Sequence, residues 1–251
     1  MSKHKTKSQL DTHRKQSIET IDSYLEYLID SDDCHMQNKA DKLCYWLNDW
    51  TKFLDYETYF NPSTLRRYNR GEIVKVHLGF NVGSEEGGLH YAVVVENDNP
   101  KTSPVITVVP LTSVKPGIDI NNLKGNNVYL GNDLYYNLLL KINTLCKQVL
   151  QEIDSLNNII DCNPNEESLL VINDKLIALN KKMLFFEKMR KESQKMKQGS
   201  IALINQITTI SKIRIYDPKT NHDVLSGIKL LPHNMDLIDK EIIKKYTKNN
   251  V

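Results

Sequence analysis

Among the residues that break the apolar rhythm between Arg70 and Thr112, five stand out: Ser84, Glu85, Glu86, His90 and Thr112. They are one histidine, two carboxylates and two hydroxyls, side-chain types that exchange protons and hydrogen-bond polar ligands. Singly, each has an ordinary explanation. Most isolated histidines are surface or core residues, threonine favours strands, and loop acids are usually solvated. Their shared position gives them interest, because the surrounding pattern brings them to one end of a sheet.

That pattern is strand, glycine-rich loop, strand, turn, strand. The apolar positions Ile73, Val74, Val76 and Leu78 lead into Gly79, Gly83, Gly87 and Gly88. Ala92 to Val95 follows, then the turn formers Asn97, Asp98, Asn99 and Pro100, then Val105 to Val109. Short β-branched runs bounded by Gly, Asn, Asp and Pro predict an antiparallel sheet with tight connections. The spacing suits a small, strongly curved barrel with the five polar residues at its mouth.

The same stretch carries a family resemblance. Gly83-Ser84-Glu85-Glu86-Gly87-Gly88-Leu89, then Ala92-Val93-Val94-Val95 and Asn97-Asp98, resembles the first two strands of MazF/PemK-type toxins. Pro110-Leu111-Thr112-Ser113 falls where those proteins end their third strand. A second block, Gly199 to Ile207 with Thr209, Ile210 and Lys212, is similar to the family's later strand and following turn.

The resemblance implies an α+β protein built on a small SH3-like antiparallel β-barrel of the MazF/PemK/CcdB kind. It implies a toxin of a type II toxin–antitoxin pair: a metal-independent endoribonuclease, with no cofactor, that cleaves single-stranded RNA. Such cleavage uses the neighbouring 2′-hydroxyl as nucleophile. The enzyme removes its proton, protonates the leaving 5′-oxygen and stabilises charge on the phosphorane. The implied partners are single-stranded RNA, an antitoxin protein and a second copy of the chain.

In the family, catalysis is assigned to an Arg at the start of the second strand and a Thr or Ser at the end of the third. Carried onto this chain, the Thr position is Thr112 and the Arg position is His90, since Gly87-Gly88-Leu89-His90-Tyr91 stands where the family reads Gly-Gly-x-Arg-Pro. An Arg holds a phosphate with two donors, whereas a His gives or takes a proton. Thr208 stands where several relatives carry a second Arg. Ser84, Glu85, Glu86, Tyr91 and Gln206 form the implied RNA-binding set, with Arg66, Arg67, Arg70 and Lys115 as further groove charge. The two lost cations leave a second reading open: a catalytically inactive barrel of the same origin that binds RNA or protein.

Composition excludes little. The chain has 251 residues, 40% hydrophobic and 25% charged, enough for one large domain or two small ones. The net charge of +2 advertises no nucleic-acid field. Basic residues crowd both ends: Lys3, Lys5, Lys7, Arg14 and Lys15, then Lys240, Lys244, Lys245 and Lys248. Residues 1–16 accordingly read as a basic flexible tail. No run is long enough to cross a bilayer, the start lacks a signal-peptide core, and Cys34, Cys44, Cys146 and Cys162 lack Cys-x-x-Cys spacing. A cytoplasmic protein with reduced thiols is the expectation. Asp32, Asp33, Cys34 and His35 read as a solvated turn, with no metal expected.

The remaining elements are helical. Ile18, Ile21, Leu25, Leu28 and Ile29, then Ala40, Leu43, Leu47, Trp50 and Leu54, predict an N-terminal helical hairpin over 17–60, broken at Ser31-Asp32-Asp33. The first part of the barrel occupies 66–132, with a fourth strand near Asn126 to Leu130. An inserted hairpin covers 133–197, one stripe running from Leu138 to Ile160 and another from Leu169 to Met189, broken at Asn163-Pro164-Asn165. Residues 198–251 complete the barrel, with a short strand at 213–216 and a closing helix after Pro232. The inserted stripes carry more large apolar residues than one partner face needs, with Leu184, Phe185 and Phe186 adjacent. This surplus either packs on the N-terminal hairpin or makes a two-fold contact.

Overall fold

A computed structural model of the chain describes residues 4–161, 165–197 and 199–248. Lys3, Cys162, Asn163 and Pro164 from the sequence reading lie outside these residues, and the chain divides into two units, 1–58 and 59–251.

The first unit is a helical hairpin. α1 spans Lys7–Ile29 and α2 spans Cys34–Glu57. The expectation of an unstructured tail over 1–16 does not hold past residue 6. Thr6 and Gln9 form a reciprocal capping box, Thr6 Oγ1 accepting from the Gln9 amide (3.3 Å) and Gln9 Oε1 from the Thr6 amide (2.9 Å). Asp33 caps α2, its Oδ1 accepting from the His35 amide at 2.8 Å. Leu28 and Ala40 are buried, while Ile18, Ile29, Trp50 and Leu54 stay exposed on this unit.

In the second unit, β1 (Ile73–His77), β2 (Leu89–Val94), β3 (Val105–Ser113) and β4 (Val128–Tyr129) precede α3 (Asp133–Asp161) and α4 (Glu166–Lys195). Then come β5 (Ser200–Ala202), β6 (Thr208–Ser211), β7 (Ile215–Asp217) and α5 (Pro232–Tyr246). All pairings are antiparallel, in the order β4-β5-β3-β2-β1-β7, with β6 also on β3. The long β3 serves two partners along one edge: β6 pairs its start through Ile106↔Ile210, and β5 pairs its end through Thr112↔Ile201.

The central strands bury both faces, which is why their sequence reads as continuous apolar runs. Ile73, Val93, Val109 and Leu111 face a core with Leu134 and Leu138 of α3, Met189 of α4, and Met235 and Ile238 of α5. Val74, Val76, Ala92, Val94, Ile106 and Val108 face a second core closed by Leu65, Tyr68, Ile210 and Ile215. The sheet is therefore packed on both of its faces.

The expected barrel is nevertheless not closed by hydrogen bonds, since the ladder path ends at β4 and β7. Consecutive β6 and β7 are separated by a 3₁₀ turn, Lys212–Arg214, which turns the chain before it pairs with β1. Lys212 is buried there, donating to the Pro100 carbonyl at 3.1 Å with its ammonium over the Tyr68 ring. Arg214 Nε donates to the His77 carbonyl at 2.7 Å.

α3 and α4 pair as the inserted hairpin, with Lys175 Nζ on Ser155 Oγ at 2.7 Å and an ion pair from Lys182 to Glu152. α3 is tied down by Lys141, whose Nζ donates to the carbonyls of Asp223, Val224 and Ser226 at 3.1, 2.8 and 2.8 Å. Burial pushes that ammonium below its ordinary pKa. Leu140, Leu150, Leu169, Leu170 and Leu184 remain exposed on the hairpin.

Candidate functional site

The loop between β1 and β2 folds back on itself because two backbones come close. Gly88 N donates to Gly79 O at 2.6 Å, and a Cβ on Gly87 would meet Gly79 O at 2.8 Å, so position 87 admits no side chain without a shift. Asn81 Nδ2 donates to the Glu86 carbonyl at 2.6 Å. Gln206 then holds the loop from across the sheet. Its Oε1 accepts from the Glu86 amide (3.2 Å) and its Nε2 donates to the Ser84 carbonyl (3.0 Å). Gln206 is thus the clamp of the glycine loop.

Glu86 thereby comes to rest beside His90. Glu86 Oε2 lies 3.4 Å from His90 Nε2, and His90 Nδ1 lies 3.3 Å from the Leu111 carbonyl. Both ring nitrogens face oxygen acceptors, so a doubly protonated ring can donate to both and a neutral ring to one. His90 is 24% exposed, open enough for a ligand to reach.

His90 and Thr112 line one pocket of about 200 Å³ at the place where β2 begins and β3 ends. Tyr91, Ser113, Tyr135 and Ser200 add hydroxyls to it, and Lys195 and Lys197 add charge. A second pocket of about 410 Å³ is lined by Asn81, Glu85, Glu86, Asn205, Gln206, Thr208 and Arg214. The residue pair Glu86–His90 bridges the two.

The sequence-derived residues therefore divide. His90, Thr112 and Tyr91 meet in the first pocket, and Glu85, Glu86 and Gln206 in the second, while Ser84 enters through its carbonyl. Tyr91 carries a further duty: its hydroxyl donates to Glu192 Oε1 at 2.5 Å, and Lys75 pairs with the same carboxylate. Burial first, then the bond to Glu192, pushes the Tyr91 phenol well above its ordinary pKa. Burial would raise the Glu192 carboxyl, but hydrogen bonds from Lys75 and Tyr91 outweigh it and hold that group below the usual carboxylate range.

Arg66, Arg67 and Arg70 line neither pocket. They pair with Glu72, Asp98 and Asp239 respectively. The cations at the pockets are ones that sequence reasoning passed over: Arg214, Lys195 and Lys197. Met189, Glu192 and Met196 recur at steps of three and four, a spacing that marks one face of α4's end as sheet-facing and could have drawn attention to the lysines beside it.

Asp33, Cys34 and His35 bring ligand-type atoms within 4.8 Å of one another, all exposed, with Asp33 already engaged as the α2 cap. Among the described residues no helix is long and apolar enough to cross a membrane. No curated protein matches the chain. Residues 69–155 match the sequence model of a family described as PemK-like, MazF-like toxin of type II toxin–antitoxin system. The match takes in β1 to β4 and the glycine loop and ends inside α3, leaving the Gly199–Lys212 block outside it. Over those residues, about a third of its length, the chain is similar to the PemK-like, MazF-like toxin family.

Proposed function

We propose that this protein is a toxin-type endoribonuclease that cleaves single-stranded RNA without a metal. The observation that carries the reading is the meeting of His90 and Thr112 in one pocket, with the Glu86 carboxylate 3.4 Å from His90 Nε2. The 2′-hydroxyl attacks the adjacent phosphorus, the bond to the 5′-oxygen breaks, and the products are a 2′,3′-cyclic phosphate and a free 5′-hydroxyl. One proton leaves the 2′-oxygen and one arrives at the 5′-oxygen. His90 moves one of these protons, and Glu86 is the carboxylate placed to exchange with it. Thr112 Oγ1 offers a hydrogen bond to a phosphate oxygen. The second pocket, with Asn81, Asn205, Gln206 and the two loop acids, has the amide and carboxylate groups that read base edges in an unpaired strand.

Purified protein incubated with mixed-sequence RNA in EDTA is expected to give fragments ending in cyclic phosphate. Intact RNA between about pH 5 and 9 with a folded protein would overturn the reading.

A homodimer and an antitoxin partner belong to the same proposal. Its support is the apolar surface left on the inserted hairpin, including Leu140, Leu170 and Leu184. Light scattering is expected to return twice the 29.0 kDa of one chain. A mass of one chain would remove the dimer and leave those residues for the antitoxin.

A further inference from the structure

The pocket holding His90 and Thr112 has a lining of one charge sign. Lys195 and Lys197 bring ammonium groups, Thr112, Ser113, Ser200 and Tyr135 bring hydroxyls, the Tyr91 hydroxyl being engaged by Glu192, and no carboxylate is among its described lining residues. The neighbouring pocket, by contrast, carries Glu85 and Glu86. A small cavity with cations, hydroxyl donors and no acid selects an anion, and about 200 Å³ suits one phosphodiester group.

Both lysines come from the end of the inserted hairpin, and that end is fixed. Met189 and Met196 are buried in the main core, and between them Glu192 binds Lys75 of β1 and Tyr91 of β2. The amide of Met196 closes the last turn onto the Glu192 carbonyl at 3.3 Å. The chain then passes Gly199, at φ +77°, where a Cβ would meet Val114 Cγ2 at 2.7 Å, and enters β5 beside Thr112. Lys195 lies 3.9 Å from Glu192 Oε2, at the edge of ion-pair range, and is 69% exposed, so its ammonium keeps an open side for a ligand. Lys197 is exposed as well.

We infer that Lys195 and Lys197 hold the RNA phosphate that lies against His90 and Thr112, so that the inserted hairpin is part of the RNA site. This rests on the endoribonuclease reading for the nature of the ligand. It also supplies what the His90 and Thr208 positions lack, a cation to meet phosphate charge. A lysine does so as a point charge, not as a two-donor fork.

The test separates binding from cleavage. A fluorescent single-stranded RNA with 2′-O-methyl riboses lacks the nucleophile and reports binding alone. For single strands the logarithm of affinity falls with the logarithm of salt by about 0.7 per phosphate contacted, so the double variant Lys195→Ala/Lys197→Ala, which gives up one phosphate, should lower that slope by about 0.7. Affinity at low salt should drop roughly 10- to 100-fold, the Lys195→Arg/Lys197→Arg variant should keep most of it, and Lys188→Ala, exposed on the same helix, should change neither. Cleavage of ordinary RNA should fall with affinity. A wild-type protein that fails to bind the analogue, or a double variant with unchanged affinity and slope, overturns the inference. A wild type that binds through these lysines yet never cuts would overturn the nuclease reading and leave the phosphate seat standing.

Discussion

His90→Ala is expected to lower RNA cleavage by about 10²–10⁴-fold, the range one positioned proton-transfer group supplies. The loss should fall on kcat, because the pocket's lysines and hydroxyls still hold the phosphate when the imidazole is gone. Free imidazole added to the His90→Ala protein is expected to restore part of the rate, since the deleted ring leaves room beside Glu86 and Thr112. The fold should not register the change. His90 makes its two contacts with a carbonyl and a carboxylate at 3.3 and 3.4 Å, both long, and the Glu86 carboxylate is 32% exposed. Cleavage by His90→Ala at the wild-type rate would remove the histidine from the mechanism and point to Glu86 and Arg214 instead.

That expectation began as a position in a pattern, and the pattern was readable for a physical reason. β1, β2 and β3 bury both faces, so their β-branched runs are long, and the glycines between them mark a loop whose backbones touch. Nothing else in the sequence is as constrained. The second pleat face was harder to see, since Leu65 and Tyr68 cover it from an irregular stretch with no periodicity. The open sheet path was not legible at all. The turn between β6 and β7 begins at Lys212, which reads as a surface lysine yet is buried against Tyr68 and the Pro100 carbonyl. The start of α1 could have been found from Thr6 and Gln9, but the density of basic residues there suggested a solvated tail. The cations of the site were hidden by distance along the chain. Glu192 meets Tyr91 across 101 residues and Lys75 across 117, from inside a run of charged residues that looks like a solvated helix end.

Glu192 is therefore the residue whose loss should cost the fold most for its size. Its side chain is 14% exposed and that of Lys75 17%, so removing the carboxylate leaves an ammonium and a phenol largely without water or a partner. Breaking such a pair costs about 3 kcal/mol, the lower end of the usual range because some exposure remains. For a unit of this size that is roughly 6–12 °C in melting temperature for Glu192→Ala. The pH dependence has a definite sign. The folded carboxyl is held below its ordinary value, so its stabilisation is present above the unfolded carboxyl pKa, about 4.3, and is lost as pH falls through the lower folded value. The gap between wild type and Glu192→Ala should thus be full at neutral pH and shrink in acid below that point. Equal melting temperatures at neutral pH, or a gap that ignores acid, would refute the tether. The functional consequence follows from place: with Glu192 gone, the end of α4 loses its polar tie to β1 and β2 and keeps the apolar contacts of Phe185, Met189 and Met196. RNA affinity should then fall alongside stability even though the carboxylate itself is not among the residues lining the phosphate pocket.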